Sequence, residues 1–570
     1  MVHRESDRSI AYFTMEIGLR NDIPTFSGGL GVLAGDTIKS AADLALPVVV
    51  VTLLCRQGYF RQQLDASGRQ HEHPVSWDPA AHMERQGPRV RVQIEGRPVT
   101  IQAWRYNVAS LGFPGVVVPV YFLDVDVEGN APCDRVITDA LYSGDDRHRF
   151  KQEVVLGIGG VRMLEALGYT NLRKYHMNEG HASLLTLELL RRTRRNIEDV
   201  WDESLVYDRD EVRQRCVFTT HTPVDAGHDR FPWAMVGEVL EELVPLAMLK
   251  ELGGSDGLNM TLLGLNLSNF INGVAKKHGA VSQAMFPGYE IHAITNGVHS
   301  FTWTCEEFKA LFNHHLPGWA NEPELFVRIG VIPDEQLWEA HQSAKRRLLG
   351  IVEERSGRRL SPDVLTFGFA RRATAYKRAD LLFSDLQRLR RIAGGRLQVI
   401  YGGKAHPKDE PGKQLIESIH RFARELGDEI PVVYLENYDM DLALNLVSGV
   451  DVWLNTPLRP REASGTSGMK AAHNGVVNFS VLDGWWIEGH IEGFTGWAIG
   501  PEPTENSLVE NDGCQDAGSL YEKLEQQVIP VYYHERHTWI RMMQNAIGKN
   551  AYYFNSHRMM RRYVTEAYIR

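Results

Sequence analysis

Short apolar runs rich in β-branched residues recur from one end of the chain to the other, and they constrain the fold more than any other feature. Pro47–Leu54, Val116–Phe122, Cys216–Thr220, Val364–Ala370, Arg396–Tyr401, Pro431–Leu435 and Val450–Leu454 are of this kind. Between them, apolar residues return every three to four positions, as in Gln152–Leu167, His181–Arg191 and Ala379–Ile392. A strand that is apolar on both faces must be covered on both faces, and alternation with helices meets that need with a parallel sheet. Arg89–Trp104 instead alternates polar and apolar residues, which predicts an antiparallel hairpin or edge. The fold class expected is α/β, built from doubly wound sheets.

The chain has 570 residues, whereas a single core stops growing at roughly 250–300. Two domains are therefore expected. No fixed-period repeat and no Gly/Ser- or Pro-rich linker marks a boundary. A new series of strand–helix units starts near Val364, after the helical pattern of Asp334–Glu354, and the hinge is placed near Asn296–Gly297. The domains are then 1–297 and 298–570. Two doubly wound domains facing a cleft would take ligands at the carboxyl ends of their strands.

Charge and cysteine content exclude several function classes. With 62 Lys+Arg against 72 Asp+Glu the net charge is −10, which argues against nucleic acid or an anionic membrane as partner. Leu44–Cys55, the most apolar stretch, contains Pro47 and is too short to span a bilayer. The opening MVHRESDRSI leads into no apolar signal region. Cys55, Cys133, Cys216, Cys305 and Cys514 are odd in number and form no CxxC, so reduced thiols in a cytoplasmic protein are expected, with no metal site.

Three segments can carry chemistry. Ser27-Gly28-Gly29-Leu30-Gly31 precedes a helical pattern, and such a turn either cradles an anion at a helix N-terminus or is a turn without a ligand. Gly368–Arg378, GFARRATAYKR, sets Arg371, Arg372, Lys377 and Arg378 after a buried-looking strand and around the start of a helix. Four cations there suit a phosphate dianion. Glu462–Lys470, EASGTSGMK, is a loop of small residues able to hold sugar hydroxyls or phosphate, and Lys470 is either a buried reactive amine or a surface lysine. Asn178-Glu179-Gly180-His181 and Thr219-Thr220-His221-Thr222-Pro223 sit at strand and helix ends without metal-ligand spacing, and their histidines read as structural. Trp485, Trp486 and Trp497 read as core.

Taken together, AYFTMEIGLRND (Ala11–Asp22), SGGLG, INGVAKKHG (Ile271–Gly279), ITNGVH (Ile294–His299), RRATAYKR (Arg371–Arg378), YGGKAHP (Tyr401–Pro407), YLENYDMDLA (Tyr434–Ala443) and EASGTSGMK follow one another in an order that resembles the α-glucan (glycogen/starch) phosphorylases. LDGWW (Leu482–Trp486) is similar to their short prokaryotic branch. The resemblance implies a GT-B fold, with an N-terminal glucan-binding domain and a C-terminal cofactor domain whose last helix packs back on the first. It also implies pyridoxal 5′-phosphate held as a Schiff base on Lys470, its phosphate serving as a proton shuttle. The reaction implied is reversible phosphorolysis of α-1,4-glucan or maltooligosaccharide ends by inorganic phosphate. Its product is α-glucose 1-phosphate with retention, and the enzyme would be a homodimer. A nucleotide-sugar transferase of the same fold and a non-catalytic glucan-binding relative are the rival readings.

By motif matching, Gly29, Arg372 and Lys377 would hold substrate phosphate. Arg371, Thr466, Ser467 and Gly468 would surround the cofactor phosphate, with Tyr438 near its ring. Asn296, Tyr376, Glu462, Ala463, Ser464 and Gly465 would grip the terminal glucose, and Asn269 would stand where long members carry a histidine for the sugar's 6-hydroxyl. Tyr142–Phe150 matches a gate loop but is shorter.

Overall fold

The computed structural model describes residues 7–195, 203–224, 227–503 and 513–569. The β-branched runs form two sheets. The first is a mixed ten-stranded sheet whose main path runs His292–Ala293, Phe270–Gly273, Cys216–Thr219, Lys174–Asn178, Ile10–Thr14, Val48–Leu53, Val117–Asp124, Arg97–Ala109 and Glu84–Arg85. Pairing is parallel as far as Val117–Asp124 and antiparallel beyond it. The expected hairpin is present, because Val90–Ile94 pairs antiparallel with Arg97–Ala109. Its two-residue loop is Glu95 and Gly96, both at positive φ (54° and 72°), the backbone whose twist matches that of paired strands.

The second sheet is parallel throughout, in the order Val432–Leu435, Leu397–Gly402, Leu365–Ala370, Val452–Asn455, Val477–Val481, Gly496–Ile499. The α/β class therefore holds. Both faces of the central strands are buried, as their composition requires. Val49 and Val51 enter one core while Val48 and Val50 enter the opposite one. Leu397 and Val399 point to one side of the second sheet and Ile400 to the other.

Three helical expectations shift for local reasons. Gln152–Leu167 is the later part of a longer helix, Asp146–Ala166, which ends one residue before Leu167 and has a wider turn at Val155–Gly159. His181–Arg191 divides into a tight turn at Gly180–Ala182 and a helix at Leu185–Arg192. Ala379–Ile392 divides into a tight turn at Leu381–Phe383 and an α-helix from Leu386, where Asp385 accepts the N–H of Arg388.

The chain end returns to the first half. Met559, Met560 and Tyr563 of the Ser556–Tyr563 helix join the core of Ile10 and Tyr12, and the Tyr568 hydroxyl meets Nδ1 of His176 at 2.7 Å. Gly297 allows the crossing, since a Cβ there would stand 2.2 Å from the Asn555 carbonyl. Among the described residues no helix is long and apolar enough to cross a membrane, and Cys55, Cys133, Cys216 and Cys305 are free thiols.

Candidate active site

Each sheet reverses its strand order once near its middle, which opens a crevice at the strands' carboxyl ends. In the first sheet the reversal is at Ile10–Thr14, flanked by Val48–Leu53 and Lys174–Asn178. The chain runs from there into Glu16 and returns at Ser27–Gly31, where a helix spans Gly29–Asp43. Buried Glu16 accepts from the Ser27 N–H at 2.6 Å, the Gly28 N–H at 3.4 Å and the Tyr142 hydroxyl at 3.0 Å. Burial raises its pKa against the pull of those donors.

The glycines of this turn divide by role. A Cβ on Gly31 would lie 2.7 Å from Glu16 Oε2, and one on Gly35 would lie 1.9 Å from the Gly18 carbonyl oxygen. Those two permit packing. Gly28 and Gly29 have nothing within 4 Å of such an atom, so the approach to the helix start is open. The first helical N–H groups, beginning at Gly29, have no carbonyl partner within the helix.

Tyr142 holds φ at 53°, a backbone that a bulky residue rarely adopts. The Arg149 guanidinium lies 4.9 Å from the centre of its ring and also bonds His181 (2.8 Å) and Asp229 (2.9 Å). Most of the segment matched to a gate loop is helix here, because Asp145 caps a helix that begins at Asp146.

Sequence reasoning underrated one cluster on this wall. Glu179 sits at φ 76° and binds the backbone N–H of His221 at 2.7 Å and the Thr222 hydroxyl at 3.0 Å. His221 bonds Asn178 Oδ1 through Nε2 at 2.6 Å, and burial pushes its pKa down to about 3, so the ring is neutral. The signal available was the placement of THTP directly after a strand. Asn269, expected at the sugar's 6-hydroxyl, does not join the cluster. It is exposed and precedes the Phe270–Gly273 strand, its N–H bonded to the carbonyls of Arg213 and Cys216 at the sheet's opposite edge.

The second wall comes from the other sheet, where Leu365–Ala370 lies between Leu397–Gly402 and Val452–Asn455. Arg371 and Lys377 each place a nitrogen 2.6 Å from one oxygen of Glu462, Oε2. Burial works to raise the Glu462 pKa, but the two cations outweigh it and hold the carboxyl down at about 2. Asp483, which accepts the Glu462 N–H at 2.8 Å, is pushed up to about 7, chiefly by burial and also by the Glu462 charge. Arg372 is exposed toward Tyr59, Glu16 and Tyr142 of the first wall. The four-cation cluster is thus divided. It lies on a loop and a tight turn at Ala375–Lys377 rather than at a helix start, and Arg378 is spent on the Thr456 and Pro457 carbonyls and on Asp516.

Lys470 lies on the short Ser467–Ala472 helix and is 8% exposed. Its Nζ sits 3.7 Å from the centre of the Trp303 ring and makes no hydrogen bond or ion pair among the described residues. Burial lowers its pKa to about 8. Thr466 is the residue before this helix and Ser467 and Gly468 form its first turn, where Ser467 Oγ accepts the Trp453 indole N–H at 3.0 Å. Gly465 is at φ 79°, and Ser464 is buried with Ala463 beside it. Tyr438 is near Arg371, Tyr376 packs its ring 4.4 Å from Lys377 Nζ, and Asn296 is buried.

Among the described residues, several buried polar atoms on the two walls have no partner: Arg371 Nε and Nη1, Ser464 Oγ, Asn296 Oδ1, Asn455 Oδ1 and His181 Nδ1. Folded proteins rarely leave such groups unpaired, so a polar ligand would find idle donors and acceptors here. The two walls touch. Gln62 Nε2 donates to the Gly403 carbonyl at 2.9 Å, Lys404 Nζ to the Phe60 carbonyl at 2.9 Å, and Lys408 Nζ to the Gly144 carbonyl at 2.6 Å.

Comparison with known proteins is consistent with this chemistry. Residues 241–492 match the family model described as carbohydrate phosphorylase. The maltodextrin phosphorylase of Thermococcus litoralis is 40% identical, over 99% of this chain and 70% of its own length. The glycogen phosphorylase of Mycobacterium tuberculosis is 38% identical over 98% and 70%, and that of Aquifex aeolicus is 36% identical over 98% and 86%.

Proposed function

Because the chain belongs to the carbohydrate phosphorylase family, we propose that it is a glucan phosphorylase that uses the crevice between its two sheets. In this reading inorganic phosphate cleaves the terminal α-1,4-linked glucose of glycogen, starch or maltodextrin and yields α-glucose 1-phosphate with retention. The two halves, 1–297 and 298–570, would face one another as in GT-B glycosyltransferases. Support for that arrangement comes from the two strand-order reversals and the contacts between the walls.

The observation that carries the reading is a buried Lys470 amine that makes no hydrogen bond or ion pair among the described residues, on the helix that follows the Glu462 loop held by Arg371, whose Nε and Nη1 are also without partners there. A free amine suits the carbonyl of pyridoxal 5′-phosphate, and the donors suit its phosphate, so the residues present fit that cofactor. Lys470 would hold it covalently, Arg371 with Thr466, Ser467 and Gly468 would hold its phosphate, and Tyr438 would flank its ring. Bound there, the cofactor supplies an acid–base phosphate next to the substrate phosphate.

The remaining steps belong to this chain's own residues. Arg372, Lys377 and the Gly29 N–H would bind and orient the substrate phosphate, since cations and a helix start offset the repulsion between two phosphates. Both cations on Glu462 converge on Oε2. Among the described residues nothing donates to Oε1, which is left to accept from a glucose hydroxyl. Asn296, Tyr376 and Ala463–Gly465 would complete the sugar's seat, with neutral His221, its Nε2–H spent on Asn178 Oδ1, offering Nδ1 as an acceptor from the first wall. A phosphate proton passes to the glycosidic oxygen as its bond to C1 breaks. A phosphate oxygen then bonds C1 from the same face, and the shortened glucan leaves with the proton. Closing the crevice against water keeps hydrolysis from competing.

The test is the intact mass of purified protein before and after borohydride reduction, with peptide mapping, alongside release of glucose 1-phosphate from maltoheptaose. A reduced pyridoxal phosphate adduct on Lys470 and phosphate-dependent release are expected. Absence of the adduct in cofactor-supplied protein would defeat the proposal.

A further inference from the structure

The helix that begins at the glycine turn carries a buried carboxylate the chemistry above does not use. Asp36 is 1% exposed, and the Trp303 indole N–H donates to both of its oxygens, at 2.8 and 3.0 Å. The face of the same indole lies under Lys470 Nζ at 3.7 Å. Trp303 is also tied to the lysine's own helix, because Asn474 Nδ2 donates to the Trp303 carbonyl at 2.7 Å and to the Lys470 carbonyl at 3.0 Å. One residue of the first half thus clamps the edge of a ring whose face supports the amine of the second half.

We infer that Asp36 is a positioning residue for Lys470, acting through Trp303 to hold the amine in place and to favour its charged form. An anion at the indole N–H pushes electron density onto the ring face, and a ring face richer in electrons attracts an ammonium more strongly. The charged groups that bear on the amine both come from the Gly29–Asp43 helix, Asp36 favouring the ammonium and Lys39, one turn on, opposing it. Lys39 is fixed by its own bond to the Thr302 hydroxyl at 3.2 Å. The inference rests on the proposal that Lys470 carries a carbonyl cofactor, because only then does the protonation state of its amine matter.

The experiment follows Lys470 itself rather than turnover. Protein purified with its cofactor is cleared of it and exposed to pyridoxal phosphate and borohydride across a pH series, and the Lys470 peptide adduct is quantified by mass. Asp36→Asn keeps an acceptor for the indole but removes the charge, and it should lower the midpoint of trapping by roughly one pH unit. Trp303→Leu should lower it too, and the double variant should add little to either. Lys39→Met should move the midpoint up, a shift of opposite sign that loosening of the fold does not produce, and it carries the test should Asp36→Asn fail to fold. Midpoints unchanged in Asp36→Asn and Lys39→Met, with normal trapping in the unaltered protein, overturn the inference. No trapping at Lys470 in the unaltered protein at any pH defeats the cofactor reading instead.

Discussion

The two walls of the crevice solve the same problem in opposite ways. On the first wall Glu16 is saturated by neutral donors, the Ser27 and Gly28 N–H groups and the Tyr142 hydroxyl, and burial raises its pKa. On the second wall Glu462 is held by two cations and its pKa falls to about 2, while among the described residues Arg371 retains idle donors and the Lys470 amine meets only the face of Trp303. A saturated network fixes geometry, whereas idle buried donors cost stability until a ligand meets them. Around their carboxylates, then, the first wall is fixed by neutral donors, while the second keeps charged and idle groups that suit the anionic ligands of the proposed reaction.

The largest effect expected from breaking this contrast is at the idle amine. Lys470→Ala should abolish both the borohydride-fixed adduct and phosphorolysis, and a fully active variant would end the proposal. Next comes Arg372→Ala, which should weaken phosphate binding by roughly 2–5 kcal/mol if its contact is charge-assisted, read as a rise in the KM for phosphate. Glu462→Gln leaves Arg371 and Lys377 without a counter-charge, and removing one partner of a buried ion pair costs about 3–5 kcal/mol. Its melting temperature should fall, and sulfate should recover it more than in the unaltered protein.

Acid and base should separate the two neighbouring carboxylates. The Glu462 pKa is lowered in the fold, so its stabilisation is present above its unfolded value of 4.5 and is lost as pH falls toward about 2. The Asp483 pKa is raised, so its contribution is present below 3.8 and is lost as pH rises through about 7. Asp483→Asn should flatten the loss of stability between pH 4 and 7 while leaving the acid limb in place. Denaturant titrations across pH check both signs. The smallest effect is on the first wall. Tyr142→Phe removes one of several donors to Glu16 and should cost about 1 kcal/mol in chemical denaturation, with a minor change in KM.

Much of this was legible in the residues. Runs such as Val48–Val51 that are apolar at every position require burial on both faces, and both faces are buried. Glu95-Gly96 between alternating segments is a hairpin turn by its chemistry as well as by its φ values. The site was less legible. Asn269 and His221 both border strands, but one precedes its strand and the other follows, and a four-residue strand separates its two ends by about 13 Å. RRATAYKR read as one cluster of four cations, yet Arg378 turns away to Asp516, 138 residues on.

The sequence alone determined the class of fold, the order of motifs that resembles the phosphorylases and the residue types gathered at strand ends, because these depend on local periodicity and local turn chemistry. Tertiary structure decided which carboxylate meets which cation and which donors stay idle. Arg371 and Glu462 are 91 residues apart and meet only when two neighbouring parallel strands bring their carboxyl ends together. Trp303 reaches both Asp36 and Lys470 only when the two halves pack. The reason is physical: the charge state of a buried group is set by what surrounds it in space, and that neighbourhood exists only once distant segments have come together.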